Sequence, residues 1–215
     1  TDEMKTYQVD VTNFKKVKEI YQEIFEENGR FDYLINCAGM GISGSVEDTD
    51  ISDIKYMFEV NYFGMINSCQ AAIPFMRKNL YGRIANISSV ASFLPIPFQT
   101  FYSSNKAAVN LFSEALNIEV KPFGIKVVTF LPGDTKTSFT DNRKKNPSNS
   151  VYYGKRIDKS IEVMEKDEQN GMTKEYVGKI IYKNLTKKRP PIRRIIGNIY
   201  KLYGFLYRFL PIKLV

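Results

Sequence analysis

A doubly wound α/β fold, a parallel sheet with helices on both faces, is what this sequence predicts. Three observations carry it. Short apolar runs at residues 31–35, 83–87 and 125–130 read as strands buried on both faces. Between them lie segments with apolar residues at helical spacing, long enough for right-handed crossovers. Each run is followed by turn chemistry, Ala38-Gly39, Ser88-Ser89 or Pro132-Gly133, at the sheet edge where ligands bind in such folds.

Residues 4–11 read as a first short strand, and Thr12-Asn13 supply a helix cap. The next helix, 14–28, carries one apolar stripe through Phe14, Val17, Ile20, Tyr21, Ile24 and Phe25, and Gly29 ends it. After the strand around Leu34 and Ile35 comes a Gly/Ser-rich loop, 41–49. A long helical stretch spans 52–78, with a break expected near Pro74. A helix over 101–121 separates the next two strands. Beyond Leu131 the chain turns polar. Residues 134–170 read as a flap, with a loop at 134–150 and a helix at 151–169. A helix at 173–187, a strand at 192–196 and a helix at 198–210 complete the chain as one domain.

Composition narrows the chemistry. There is no His, and Cys37 and Cys69 are the two cysteines, which argues against a zinc site, a disulfide framework and a Ser-His triad. Both thiols are expected to be buried and structural. The net charge of +8 is concentrated near the C-terminus: no Asp or Glu follows Glu175, while ten Lys and Arg do. That pattern suggests a local basic surface on the 176–215 tail, a peripheral contact with an anionic membrane or a cover over a pocket, and not nucleic acid. With no signal peptide and no long uncharged apolar run, a cytoplasmic protein is expected, its tail either packed over the pocket or at a subunit contact or lying on a membrane surface.

Within residues 83–109, Tyr102 and Lys106 are four apart on a helix and share a face. A cation beside a phenol favours the phenolate and brings its pKa nearer neutral pH. Such a pair arises by chance in a chain with 14 Tyr, so its neighbours decide the matter. Asn61, within the apolar run MFEVNYFGM, is either a satisfied core amide or a group that holds a water at a site. Asp10 is either a helix-capping residue or an acceptor for an adenine amino group.

The set DVT (10–12), NCAG (36–39), Asn61, NISS (86–89), YSSNK (102–106) and PGDTKT (132–137) resembles the short-chain dehydrogenase/reductases in order and spacing. The resemblance implies a Rossmann-like fold and NAD or NADP as cofactor. It implies Tyr102 as general acid/base, Lys106 as the residue that lowers its pKa and holds the nicotinamide ribose, Ser89 on the substrate oxygen, and Asn61 placing a relay water. Asp10 and Val11 would meet the adenine, Asn36, Ala38 and Gly39 the adenosine ribose, and Pro132, Gly133 and Thr137 the nicotinamide end. The reaction implied interconverts a secondary alcohol and a ketone, and the tail resembles those of members acting on lipid-like substrates. A homodimer or homotetramer is implied as well. The alternative is a non-catalytic, dinucleotide-responsive regulator or scaffold on the same fold.

Four departures accompany the resemblance. Cys37 replaces the second Asn of NNAG, Asn105 replaces a small residue before the Lys, and Asp134 and Lys136 put charges after Pro-Gly. The family's opening strand, Gly-rich turn and helix are not in this sequence. An N-terminal truncation is therefore expected, with weak dinucleotide binding and no activity for this chain alone, because the amides that hold the phosphates lie in that segment.

Overall fold

The computed structural model describes residues 4–146 and 151–209. Flap residues 147–150 and the expected helix end at Leu210 lie outside the described residues. In chain order the elements are α1 (Phe14–Asn28), β1 (Tyr33–Asn36), β2 (Ile42–Ser43), α2 (Ile51–Phe58), a π-helical turn (Glu59–Phe63) and α3 (Gly64–Lys78). Next come β3 (Gly82–Ile87), α4 (Thr100–Glu119), β4 (Ile125–Pro132), β5 (Thr135–Lys136), β6 (Lys144–Lys145), α5 (Lys155–Gln169), β7 (Met172–Thr173), α6 (Lys174–Leu185), β8 (Arg193–Ile196) and α7 (Asn198–Tyr207).

The main sheet has the order β1-β3-β4-β8 and is parallel throughout. Its register explains the two cores. Leu34, Ile84 and Val127 stand side by side on one face, and Ile35, Ala85 and Val128 stand side by side on the other, because side chains alternate along a strand. The first row packs with Met65, Cys69 and Phe75 of α3 and with Val109 and Leu116 of α4, and Tyr21, Ile24 and Phe25 of α1 close that layer. On the second face Ala85, Val128 and Phe130 pack with Val177 and Leu185 of α6 and with Ile196. This second helical layer stops short of β1, where Ile35 remains 52% exposed.

Helix α1 begins and ends as its sequence dictates. The Asn13 side chain accepts from the Lys16 amide, and Gly29 adopts φ +68°, which glycine tolerates best. Three expectations are corrected. Residues 4–10 form no ladder; they are tied by side chains instead, Lys5 to Glu27 and Tyr7 to Glu23 of α1, and the Asp10 carboxylate accepts from Thr12. Pro74 does not break α3; the irregularity sits earlier, at Glu59–Phe63, where the Gly64 amide reaches back five residues to the Glu59 carbonyl. Cys37 is exposed, because the strand ends one residue before it, while Cys69 is buried.

Gly124 closes the turn from α4 into β4 at φ +72°, and a Cβ there would lie 2.1 Å from the Leu80 carbonyl oxygen. Gly124→Ala is expected to cost about 2 kcal/mol or more of stability, read as a lowered urea midpoint with unchanged slope.

Candidate functional site

Three strands end at one edge of the sheet, and the residues just beyond their ends assemble the site. After β1 come Ala38 and Gly39, both exposed. After β3 come Ser88 and Ser89, and β4 ends in Pro132, with Gly133 next. Helix α4 brings Tyr102 and Lys106 to the same edge, and two bonds fix its first turns there. The Ser88 hydroxyl donates to the Lys106 carbonyl at 2.9 Å, and the Lys106 ammonium donates to the Ile87 carbonyl at 2.9 Å. Beneath them, Asn36 donates to the Asn86 side chain, which donates to the Ser113 hydroxyl, both at 2.8 Å. Asn36 thus stitches β1 to β3 and α4, although its position also borders the strand ends.

Asn61 sits in the π-helical turn, and both ends of its amide bond the backbone of Met40. It accepts from the Met40 N–H and donates to the Met40 carbonyl, both at 2.8 Å. The extra residue of the π turn aims this side chain at the 39–40 turn. A Cβ on Gly39 would lie 3.2 Å from the Asn61 Oδ1 and 4.0 Å from the Lys106 Nζ, so glycine is what lets these three groups converge.

Burial dominates the electrostatics. Tyr102 is pushed up to about 12, chiefly by desolvation; the nearby Ser89 hydroxyl and Arg143 pull it down, and Glu168 pushes it up. Lys106 is brought down to about 8, again by desolvation. Its ammonium lies 5.7 Å from the centre of the Tyr102 ring. Desolvation thus opposes the expected lowering of the phenol, and the cation that favours the phenolate here is Arg143.

The structure brings Ser89, Tyr102, Lys106, Gly39 and Asn61 together. Asn36, Ala38 and Pro132 lie at or beneath the same strand ends, and the remaining expected residues, Asp10, Val11, Gly133 and Thr137, make other contacts. Asp10 and Val11 flank α3, where the Val11 carbonyl accepts from Asn67 at 2.9 Å. Beside Gly133 lies the ring of Tyr200, 2.0 Å from where a Cβ would stand. The Thr137 hydroxyl oxygen accepts from the Phe139 amide at 3.2 Å. Asn105 is fully buried with neither side-chain group partnered, and nothing in the structure explains it.

No sequence pattern signals the flap's anchorage. Arg143 pairs with Glu168 of α5, Lys144 with Asp53 of α2, and Lys145 with Glu165 of α5. These spacings are too long for any local pattern to expose. Flap strand β6 pairs with β2, and the Phe139 ring stands 5.8 Å from that of Tyr102. A cavity of about 510 Å³ is lined by Ile96, Pro97, Phe98, Val163 and Met164, with Asp134, Arg156, Lys159, Ser160 and Asp167. Neither Tyr102 nor Ser89 lines it; it lies between the loop before α4 and α5.

A short chain dehydrogenase family model matches residues 1–148. The chain is 41% identical over 196 residues to a 3-ketodihydrosphingosine reductase of Bacteroides thetaiotaomicron, covering 90% of this chain and 73% of that protein. It is 33% identical over 215 residues to a probable short-chain type dehydrogenase/reductase of Helicobacter pylori, covering 94% of this chain and 75% of that protein. Among solved structures, a short-chain dehydrogenase from Streptomyces avermitilis superposes with a TM-score of 0.83 at 28% identity, over 93% of this chain and 74% of its own. The structure of ElxO with NADP bound gives 0.74 at 27% identity, over 91% and 77%. With the match spanning most of the chain and the strand ends arranged as described, the protein belongs to the short-chain dehydrogenases.

Proposed function

We propose that this short-chain dehydrogenase interconverts a secondary alcohol and a ketone of apolar or lipid-like character, with NAD or NADP as cofactor. The observation that carries the reading is the convergence of Tyr102, Ser89 and Lys106 at the carboxyl edge of the sheet. The relative named a 3-ketodihydrosphingosine reductase supports the substrate class.

The residues present fit the ribose-binding part of a dinucleotide site. The turn at Ala38 and Gly39 is small and exposed, and the buried Lys106 ammonium donates one hydrogen bond to protein, leaving donors for ribose hydroxyls. Bound nicotinamide supplies or accepts the hydride. Tyr102 gives its phenolic proton to the ketone oxygen in reduction and takes it back in oxidation, while the Ser89 hydroxyl orients that oxygen. Asn61 holds the 39–40 turn against Lys106. Pro132, Gly133 and Thr137 would border the nicotinamide and Asp10 and Val11 the adenine.

A second reading concerns the tail. Helix α7 exposes Ile199, Leu202, Tyr203, Phe205 and Leu206 beside Lys201 and Arg208, with no acidic residue. Among the described residues no helix is long and apolar enough to cross a membrane. We propose that α7 lies on an anionic lipid surface.

Three measurements test these proposals. In the full-length protein, Tyr102→Phe should lower turnover about 10²–10⁴-fold while dinucleotide affinity holds; near-normal turnover overturns the assignment. The second uses pH. Below about pH 8 Lys106 is charged in both states, and its buried charge lowers stability in full. Between about 8 and 10.5 the unfolded chain binds the extra proton, so stability rises with pH. Tyr102 has the opposite sign above pH 10, where the unfolded chain loses its proton first. Lys106→Met should therefore remove up to about 3 kcal/mol of the rise between pH 8 and 10.5 in urea unfolding. Third, co-sedimentation with liposomes should be strong on anionic and weak on neutral vesicles, and Leu202→Glu with Phe205→Glu should abolish it.

A further inference from the structure

The flap crosses back over the site and places one buried cation there. The Arg143 side chain is 2% exposed. Its Nη2 donates to Glu168 Oε1, and the other oxygen of Glu168 accepts from the Thr140 hydroxyl at 2.6 Å. Its second terminal nitrogen, Nη1, is buried and has no hydrogen-bond partner.

The Phe139 ring ties this guanidinium to the reacting groups. The guanidinium lies 5.6 Å from the centre of the Phe139 ring, and that ring is the one packed against Tyr102. A Cβ on Gly41 would come within 2.9 Å of Phe139 and 3.4 Å of the Arg143 Nε, so this glycine lets both side chains settle over the loop after β1. Arg143 is close enough for its charge to act on the phenol.

A buried donor without an acceptor costs about 1–3 kcal/mol, and a bound molecule that accepts from it recovers that cost. The neighbours determine the kind of acceptor. Glu168 already balances the guanidinium, so a second anion would face a carboxylate as well as an arginine. A neutral oxygen with free lone pairs meets only the donor.

Resting on the ketone–alcohol reading above, we propose that Arg143 Nη1 recognises a second oxygen, a hydroxyl or carbonyl, carried by the substrate within a few bonds of the carbon that Tyr102 serves. The substrate is then a ketone with a neighbouring oxygen function on an apolar chain. Glu168 and Thr140 act as positioning residues that hold the guanidinium and leave one arm free.

The test is calorimetric titration of the full-length protein with two probes, a medium-chain ketone and the same ketone bearing a β-hydroxyl. The hydroxyketone should bind about 10- to 100-fold more tightly to the wild type. That preference should vanish in Arg143→Met. It should vanish equally in Arg143→Lys, which keeps the charge opposite Glu168 but lacks the second arm, and whose melting temperature should stay near that of the wild type. Equal affinities in the wild type, binding of neither probe, or a preference that survives Arg143→Lys overturns the proposal. Turnover is read separately: tight, Arg143-dependent binding without ketone reduction upholds this site and counts against the reaction, whereas reduction without preference does the reverse.

Discussion

Parallel pairing is the constraint on which the rest of this molecule depends. Because β1, β3, β4 and β8 all run the same way, the turns that leave them fall on one edge, and every crossover must return along a face of the sheet. The side chains that need to meet are far apart in sequence: Gly39, Asn61, Ser89 and Lys106 come from four separate segments. The register does the gathering. The same register places Asn36 beside Asn86, so a polar rung runs directly beneath the site and continues to Ser113 of α4. Buried amides left unpaired would weaken the sheet; paired, they fix the angle at which α4 presents Tyr102 and Lys106.

Burial, more than charge pairing, sets the protonation of the two central groups. Tyr102 and Lys106 are both displaced toward their neutral forms. The proton-transfer chemistry proposed for Tyr102 therefore depends on what else enters the site, and the Ser89 hydroxyl and Arg143 are the protein groups that already favour ionisation.

Much of the fold was legible because it rests on local chemistry. The stripe on α1, its Asn13 cap and Gly29 stop, and the apolar runs of β3 and β4 all come from spacing of a few residues. Tyr102 and Lys106 were legible as a helix pair and gained their meaning from motifs in register. Other features were hidden for physical reasons. Residues 4–10 have the composition of a strand, but a strand exists only where a ladder partner lies alongside. Pro74 looked like a helix breaker, yet α3 accommodates it, and the irregularity lies where only hydrogen bonding five residues back reveals it. The Arg143–Glu168 pair joins a polar loop to a polar helix, and no periodicity announces which charge meets which.

The π-helical turn at Glu59–Phe63 has a further consequence. One residue more than an α-helix needs is held in that turn, so everything before it is rotated by about 100° relative to a continuous helix. Removing a single residue there would restore regular bonding and leave the apolar faces of either α2 or α3 out of phase with the sheet. Asn61 would swing away from Met40 at the same time. The segment is thus a phase shifter: its length is constrained as tightly as its sequence, and single-residue deletions in it should be far less tolerated than substitutions on its solvent side.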